Sequence, residues 1–156
     1  MVFEHLMPQD CSQVVPTSKK ASLNKNNKTM ENKGIITRLS KLTVKETIDK
    51  LEQILKQKNI TIYLRIDQQA EVAKAGIKLN AIDFLLFGNP QKGGQVMAEN
   101  PVAAIDLPLK VLAWEDSAHQ TWVTYNEAAF IQQRFSLSEE AISLIGIDQI
   151  ITALLS

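Results

Sequence analysis

Cysteine, histidine and aromatic residues are scarce in this 156-residue chain, which has one cysteine, two histidines and 6% aromatics. A single cysteine, Cys11, allows no disulfide within the chain and no cysteine-rich metal cage. Such cysteine usage is typical of a reducing compartment, so we predict a cytoplasmic protein. Nucleophilic catalysis needs a base beside the nucleophile, and His119 is the only histidine after residue 33. The sequence therefore predicts no catalytic triad, no metal site and no cofactor.

The chain also lacks an excess of either charge, because 17 basic residues balance 17 acidic ones. Nucleic-acid binders usually carry a basic excess or stripe, so we expect no nucleic-acid partner. No apolar run approaches the roughly 18 residues that a membrane span requires, and we expect no membrane partner. Residues 1–8 show neither the basic start nor the apolar stretch of a secretory signal.

Residues 1–33 differ in composition from the rest, with few apolar residues and no apolar periodicity. This pattern predicts a disordered polar and basic extension. An alternative is that Met30 is the true start of the protein. Residues 34–156 show regular apolar periodicity, and we interpret them as a single domain that is long enough to bury a core.

Five strands and several helices are predicted after Gly34. Thr43 and Glu46 have the spacing of a capping box at the start of a helix over 44–58, and Asn59 suits a left-handed residue at its end. A hairpin crosses residues 116–119. The order β-α-β-(α)-β-(α)-β-β-α indicates an α+β fold with a mixed, five-stranded sheet packed by helices.

The apolar pattern also predicts which side chains are buried. Alternation over 60–66 places Ile60, Ile62, Leu64 and Ile66 on one buried face. Consecutive apolar residues at 84–87 predict cover on both faces of that strand. Asp67 is expected to cap a short helix whose small residues pack close to the sheet, namely Ala70, Ala73 and Ala75.

Helix caps are expected at Asn89, Asn126, Ser138 and Asp148. The last of these begins a C-terminal helix of about two turns, which is too short to be stable alone. It must therefore pack on another element, either in the same chain or in a second subunit.

Two features resemble ligand-binding motifs, but neither is specific enough to predict a ligand. Gly88 and Gly93 have the spacing of a phosphate-binding loop, but the required Lys and Ser/Thr are replaced by Gly94 and Gln95. Trp114 and Trp122 could stack on a ligand, although tryptophans on strands more often pack in the sheet or at a subunit interface.

Three hypotheses for function remain. The first is a non-catalytic, dimeric module that binds a small molecule or a partner, with polar groups at strand ends as its pocket: Asp67, Asn89, Lys110, Glu115, Tyr125 and Asn126. The second is an enzyme that uses Asp67 or Glu115 as a general base. The third is a structural partner domain that associates through its apolar segment, residues 147–156.

Several short motifs in order carry a resemblance to a known family: Glu46-Thr-Ile-Asp-Lys-Leu51, Arg65-Ile-Asp67, Ala73-Lys-Ala-Gly76, Leu86-Phe-Gly-Asn-Pro90, Asp106-Leu-Pro-Leu-Lys110, Trp114-Glu-Asp116 and Tyr125-Asn126. Over residues 34–137 the chain resembles the Domain of Unknown Function 302 family of bacteria and archaea. The resemblance implies an α+β domain, a homodimer and no established activity. Family members often have histidine where this chain has Gln68, and glutamine cannot shuttle protons near neutral pH.

Overall fold

The structure, a computed structural model, describes residues 34–156. The extension over 1–33 and the alternative start at Met30 lie outside the described residues. Five strands form one sheet: β1 Ile35–Ser40, β2 Thr61–Asp67, β3 Ile82–Gly88, β4 Leu109–Glu115 and β5 Thr121–Asn126. The helices are α1 Val44–Gln57, α2 Gln68–Ala73, α3 Pro90–Glu99, α4 Ala128–Phe135, α5 Glu139–Ser143 and α6 Asp148–Leu155, with a 3₁₀ segment at Pro101–Asp106.

The sheet has the order β1-β5-β4-β3-β2, and every neighbouring pair is antiparallel. The α+β class is confirmed, whereas the mixed sheet is wrong. Helix α1 does connect two strands of the same direction, which is why a strand–helix–strand pattern suggested parallel pairing. Those two strands lie at opposite edges with three strands between them, so they never pair.

Local sequence signals fixed the first helix as predicted. Thr43 accepts from the backbone of Glu46, and the Glu46 carboxylate accepts from the Thr43 backbone. These two bonds satisfy amides that the first turn leaves free. Asn59 follows the helix with a φ of 54°, the left-handed conformation that asparagine tolerates.

Helices α1 and α6 pack on one face of the sheet and bury the main core. Ile48, Leu51 and Leu55 of α1 are fully buried, and so is Ile151 of α6. The C-terminal helix therefore finds its packing partner within the chain. The third hypothesis proposed association through residues 147–156. Their main apolar side chains, Ile147, Ile151 and Leu154, are instead buried in the core of the same chain.

A second, smaller apolar cluster joins α3, α4, α5 and the 3₁₀ segment around Val96, Ala103, Ile131 and Ile145. Leu109 at the start of β4 packs against both clusters. Gly34 helps to seat α4, because it has a φ of +79° and a Cβ there would lie 2.3 Å from the Phe130 ring. A larger residue at position 34 would displace that ring.

The edge strand β2 departs from the predicted alternation. Its register against β3 shifts between Ile62 and Leu64, so Tyr63 is an extra residue in a β-bulge. Ile62 and Leu64 consequently point to opposite faces, and Leu64 is 49% exposed. The prediction of one shared buried face is wrong, because a one-residue shift moves the following side chains to the other face.

Three further expectations are corrected. Helix α2 buries no residue, and Ala70, Ala73 and Ala75 are exposed rather than packed on the sheet. In β3 only alternate residues are buried, so cover on both faces is wrong. The N-caps of α4 and α6 are Glu127 and Ile147, because Asn126 still belongs to β5 and Asp148 is already helical. The caps at Asp67, Asn89 and Ser138 are confirmed.

Candidate binding cavity and the open sheet face

A cavity of about 180 Å³ lies where β3 ends and β4 begins, between the main core and the second cluster. Its walls are mostly apolar and include Tyr63, Met97, Leu107, Pro108, Leu109 and Leu144. Two of these side chains keep much of their surface exposed, Tyr63 at 48% and Met97 at 38%. The β-bulge therefore has a local consequence, because the extra residue that it inserts forms one wall of the cavity.

Two polar residues line the same cavity, Asn89 and Lys92. The Asn89 Oδ1 accepts from the amides of Gln91 and Lys92, at 2.9 and 3.2 Å, and so caps α3. Its Nδ2 has no acceptor within residues 34–156. Asn89 thus combines a structural role with a free donor beside the cavity.

The six predicted site residues fall into two groups at opposite ends of the sheet. Asn89, Lys110, Tyr125 and Asn126 lie toward the Gly88 end, while Asp67 and Glu115 lie at the other. A seven-residue strand such as β3 separates the two ends by roughly 20 Å. Only Asn89 lines the apolar cavity. The six residues therefore do not converge on one pocket.

Tyr125 is buried in the main core, and its hydroxyl donates to Asp148 Oδ1 at 2.8 Å. Burial, with the neighbouring Asp148 carboxylate, raises the pKa of the Tyr125 phenol well above its usual value. Asp148 also pairs with Arg38 at 3.7 Å. This group joins α6 to the sheet, so its role in the structure is packing.

Asp67 and Glu115 have local partners. Asp67 is exposed, and its Oδ1 accepts from the Ala70 amide as the cap of α2. Glu115 lies 2.8 Å from His119 Nδ1 and lines a wide, open depression of about 480 Å³ beside β1. In the part of the chain that is described, no three acidic, histidine or cysteine side chains cluster as metal ligands.

A charge cluster between α1 and the sheet was not predicted from the sequence. Arg65 donates from Nε to both carboxylate oxygens of Asp83 at 3.1 and 2.9 Å, and from Nη1 to Asp49 at 2.6 Å and Glu52 at 3.2 Å. Hydrogen bonds with Asp83 raise the pKa of the Arg65 guanidinium. Bonds from Lys45 and Arg65 lower the pKa of Asp49. The predicted alternation placed Arg65 on the solvent face of β2. The bulge reverses that assignment and turns Arg65 toward α1.

The sheet has a covered face, beneath α1 and α6, and a second face, here called the open face, whose side chains belong to neither apolar cluster of residues 34–156. The register assigns the open-face side chains of the three inner strands: Ile82, Phe84, Leu86, Lys110, Leu112, Trp114, Trp122, Thr124 and Asn126. Leu64 and Ile66 of β2 and Thr37 and Leu39 of β1 extend it to both edges. Most of these residues are only half-buried.

Both tryptophans lie on the open face and stack across β4 and β5, with ring centroids 6.4 Å apart. Trp122 Nε1 donates to Asp116 Oδ2, and Trp114 Nε1 donates to Thr124 Oγ1, each at 2.8 Å. Trp122 is buried and Trp114 is half-buried. They line this face and not the cavity.

Residues 34–156 thus form an α+β domain in which one antiparallel sheet has helices on one face and a largely apolar second face. A family model described as "Domain of unknown function DUF302" matches residues 35–154. The chain belongs to that family. A solved structure, the uncharacterized conserved protein DUF302 from Bacillus stearothermophilus, has the same fold, with a TM-score of 0.67 and 19% identity over 80% of this chain and 97% of that one.

Three curated relatives from Brucella are named fluoride-specific ion channels. FluC 1 of Brucella suis is 36% identical over 104 residues, which are 67% of this chain and 41% of that protein. FluC 1 of Brucella abortus and FluC 2 of Brucella melitensis match at 36% over 104 residues, or 38% of their length. The chain thus spans about two fifths of these relatives. In residues 34–156 no helix is long and apolar enough to cross a membrane.

Proposed function

We propose that this protein is a non-catalytic binding module that works as a homodimer, with the open face as the contact between copies and the cavity as a small-molecule site. The observation that carries the proposal is the difference between the two faces of the sheet. Both faces are largely apolar, yet only one packs with helices in an apolar cluster of residues 34–156. A large exposed apolar face usually marks an interaction surface.

The dimensions of the open face suit a second copy. Five strands of six or seven residues span about 24 by 22 Å, or about 500 Å² in projection. A stable interface buries about 800 Å² on each partner. The relief of the side chains and the exposed edge residues Leu39 and Leu64 add to the projected area, so the face supplies most of what a dimer needs.

The charges of the open face are also compatible with self-association. Lys110 is its one ionisable side chain among the described strands, and it lies near one end of the sheet. Two sheets that pack face to face about a two-fold axis, with their strands running in opposite directions, place the two Lys110 residues at opposite ends. Like charges then stay apart, and the apolar centre pairs with itself.

The dimer is tested by placing a charge on the open face. Leu112→Glu lies at its centre and Leu64→Glu at its edge, where the side chain is already 49% exposed. Leu79→Glu, at a leucine 40% exposed outside the strands, is the matched control. Sedimentation velocity over a range of concentrations should give a dimer for the wild type and the control, and a monomer for both open-face variants.

Circular dichroism shows whether each variant is folded. A wild-type protein that stays monomeric at high concentration would contradict the dimer. So would a Leu64→Glu and a Leu112→Glu variant that both remain dimeric while folded.

The alternative is an enzyme with Asp67 or Glu115 as general base. A carboxylate general base works best in an enclosed site that excludes water, but Asp67 is exposed and the Glu115 side chain is 28% exposed in an open depression. This environment favours the binding module. If a reaction is found, the alternative requires that Asp67→Asn or Glu115→Gln abolish it.

A second candidate function comes from the Brucella relatives: an accessory domain beside a fluoride channel. It is supported by 36% identity across 104 residues of proteins with that name. Deleting the matched segment from the Brucella suis protein should leave fluoride efflux from proteoliposomes intact, if the segment is accessory. Loss of efflux from a deletion variant that still inserts and assembles would instead make the segment part of the channel.

A further inference from the structure

We propose that the cavity between Tyr63 and α3 binds a small amphipathic anion, with an apolar body against the walls and a carboxylate or similar group at the Lys92 ammonium. This inference rests on the proposed binding function and specifies its ligand class.

The volume sets the size of the ligand. A dry apolar cavity of about 150 Å³ holds one benzene ring, and the cavity here measures about 180 Å³. It therefore fits a single ring, or a chain of similar bulk, with a short polar substituent that reaches the rim.

The walls set the chemistry of its body. Met97, Leu109 and Pro108 present carbon and sulfur to the cavity. Among residues 34–156, Lys92 and Tyr63 are the only ionisable side chains that line it. Tyr63 and Met97 leave 48% and 38% of their surface exposed. An apolar ligand would cover these side chains, and removing such surface from water favours binding.

The polar residues at the rim of the cavity determine which charge the polar end of the ligand should carry. Three lysines in or beside other helices have acidic partners: Lys45 with Asp49 at 2.7 Å, Lys56 with Glu52 at 3.2 Å and Lys74 with Glu71 at 2.6 Å. Lys92 has no such partner within residues 34–156. The free Nδ2 of Asn89 adds a second donor beside it, so the rim offers donors to an anion.

Gly93 supplies an observation that packing within the chain does not explain. Glycine is unfavourable inside a helix, and a Cβ at Gly93 or Gly94 would meet nothing within 4 Å. Within residues 34–156 there is thus room for a side chain at both positions. Gly93 lines the cavity and Gly94 does not. A glycine at position 93 keeps that wall bare, as a close approach of ligand to backbone requires.

Three probes of nearly equal shape test the ligand class: phenylacetate, the neutral phenylacetamide and the cation phenethylamine. Each is titrated into the full-length protein while amide chemical shifts are followed by NMR. We expect phenylacetate to shift the amides of Gly93, Met97 and Leu109 with a millimolar or tighter dissociation constant, as suits so small a ligand, and to bind better than either control.

Variants divide the contributions. Lys92→Gln should weaken phenylacetate about 2- to 5-fold, the strength of an exposed ion pair, and leave phenylacetamide unchanged. Gly93→Leu should abolish binding by filling the cavity, whereas Gly94→Leu makes the same helical substitution away from the cavity and should bind normally. Circular dichroism confirms that both leucine variants fold.

Equal binding of phenylacetate and phenylacetamide would overturn the anionic ligand class while leaving the small-molecule site standing. No shift with any probe, or normal binding by Gly93→Leu, would overturn the cavity inference as a whole. Failure of the anion preference is thus distinguishable from failure of the proposed small-molecule site, and the proposed dimer is measured separately by sedimentation.

Discussion

Leu85 and Leu86 are neighbours in β3, yet one is fully buried on the covered face and the other is half-buried on the open face. The same contrast separates Val111 from Leu112 in β4. The two faces differ much less in apolar character than in what lies over them. An apolar run in a strand shows that both faces avoid water, but it does not show whether the cover comes from the same chain.

The largest expected effect comes from truncating each of the two leucines in turn. Leu85→Ala should lower the free energy of unfolding by about 2–5 kcal/mol, because it leaves a cavity beneath α1. Leu86→Ala removes the same atoms from a half-buried position and should cost about 1 kcal/mol in the monomer. Urea unfolding at low protein concentration measures both changes.

The same pair sharpens the comparison when the protein concentration is raised. If the open face is covered by a second copy, the cost of Leu86→Ala should grow with concentration, because dimerisation stabilises the folded state by mass action. The cost of Leu85→Ala should stay constant. Equal costs at all concentrations would argue that the open face remains uncovered.

The next prediction compares the loss of stability when one charged side chain is neutralised on each face of the sheet. Asp83→Asn keeps the size of a side chain that is 9% exposed but removes the carboxylate that receives Arg65. We expect a loss of about 1–3 kcal/mol, since a half-buried guanidinium is left with fewer acceptors. Lys110→Gln removes an unpaired charge from the open face and should stay within about 0.5 kcal/mol of the wild type. Chemical denaturation compares the two variants, and similar losses would contradict the contrast.

Local signals in the sequence predicted the elements well. The capping box at Thr43, the left-handed Asn59 and the hairpin after Glu115 each depend on a few adjacent residues, and each is confirmed. What failed depended on distant partners. The bulge at Tyr63 and the antiparallel order are fixed by pairing between strands, which a local pattern cannot show.

The candidate site was predicted less well for the same reason. Asn89 could be predicted as a candidate site residue because it follows a strand and caps the next helix, and both signals are local in the sequence. Lys92 and Tyr63 were missed as wall residues, since the cavity forms only when the bulge, α3 and the second cluster meet. Asp67 and Glu115 were grouped as polar strand ends, but strand direction places them at the end of the sheet away from Asn89. Whether any of the six binds a ligand stays a prediction.

A smaller effect is expected at Tyr125, on the covered face. Tyr125→Phe loses the hydrogen bond to Asp148 and should cost about 1 kcal/mol near neutral pH. The pKa of this phenol is raised in the folded protein, so its contribution is complete below about pH 10 and is lost as the pH rises further, where the unfolded tyrosine ionises first. Urea midpoints from pH 8 to 11 should therefore fall more steeply for the wild type than for the variant. Parallel curves would contradict the assignment.

A small effect is also expected for a polar group on the open face. Thr124 Oγ1 lies 3.0 Å from Thr37 Oγ1 and accepts from Trp114 Nε1 at 2.8 Å. Thr124→Val keeps the shape and removes both bonds. Because Trp114 is half-buried, water can replace the lost acceptor in a monomer, and the loss should be below about 1 kcal/mol. In a dimer that covers this face the indole N–H would lose that water, so the loss should grow as dimer forms. Thermal unfolding at low and high protein concentration measures the difference, and a loss that does not change with concentration would place Trp114 outside the contact between copies.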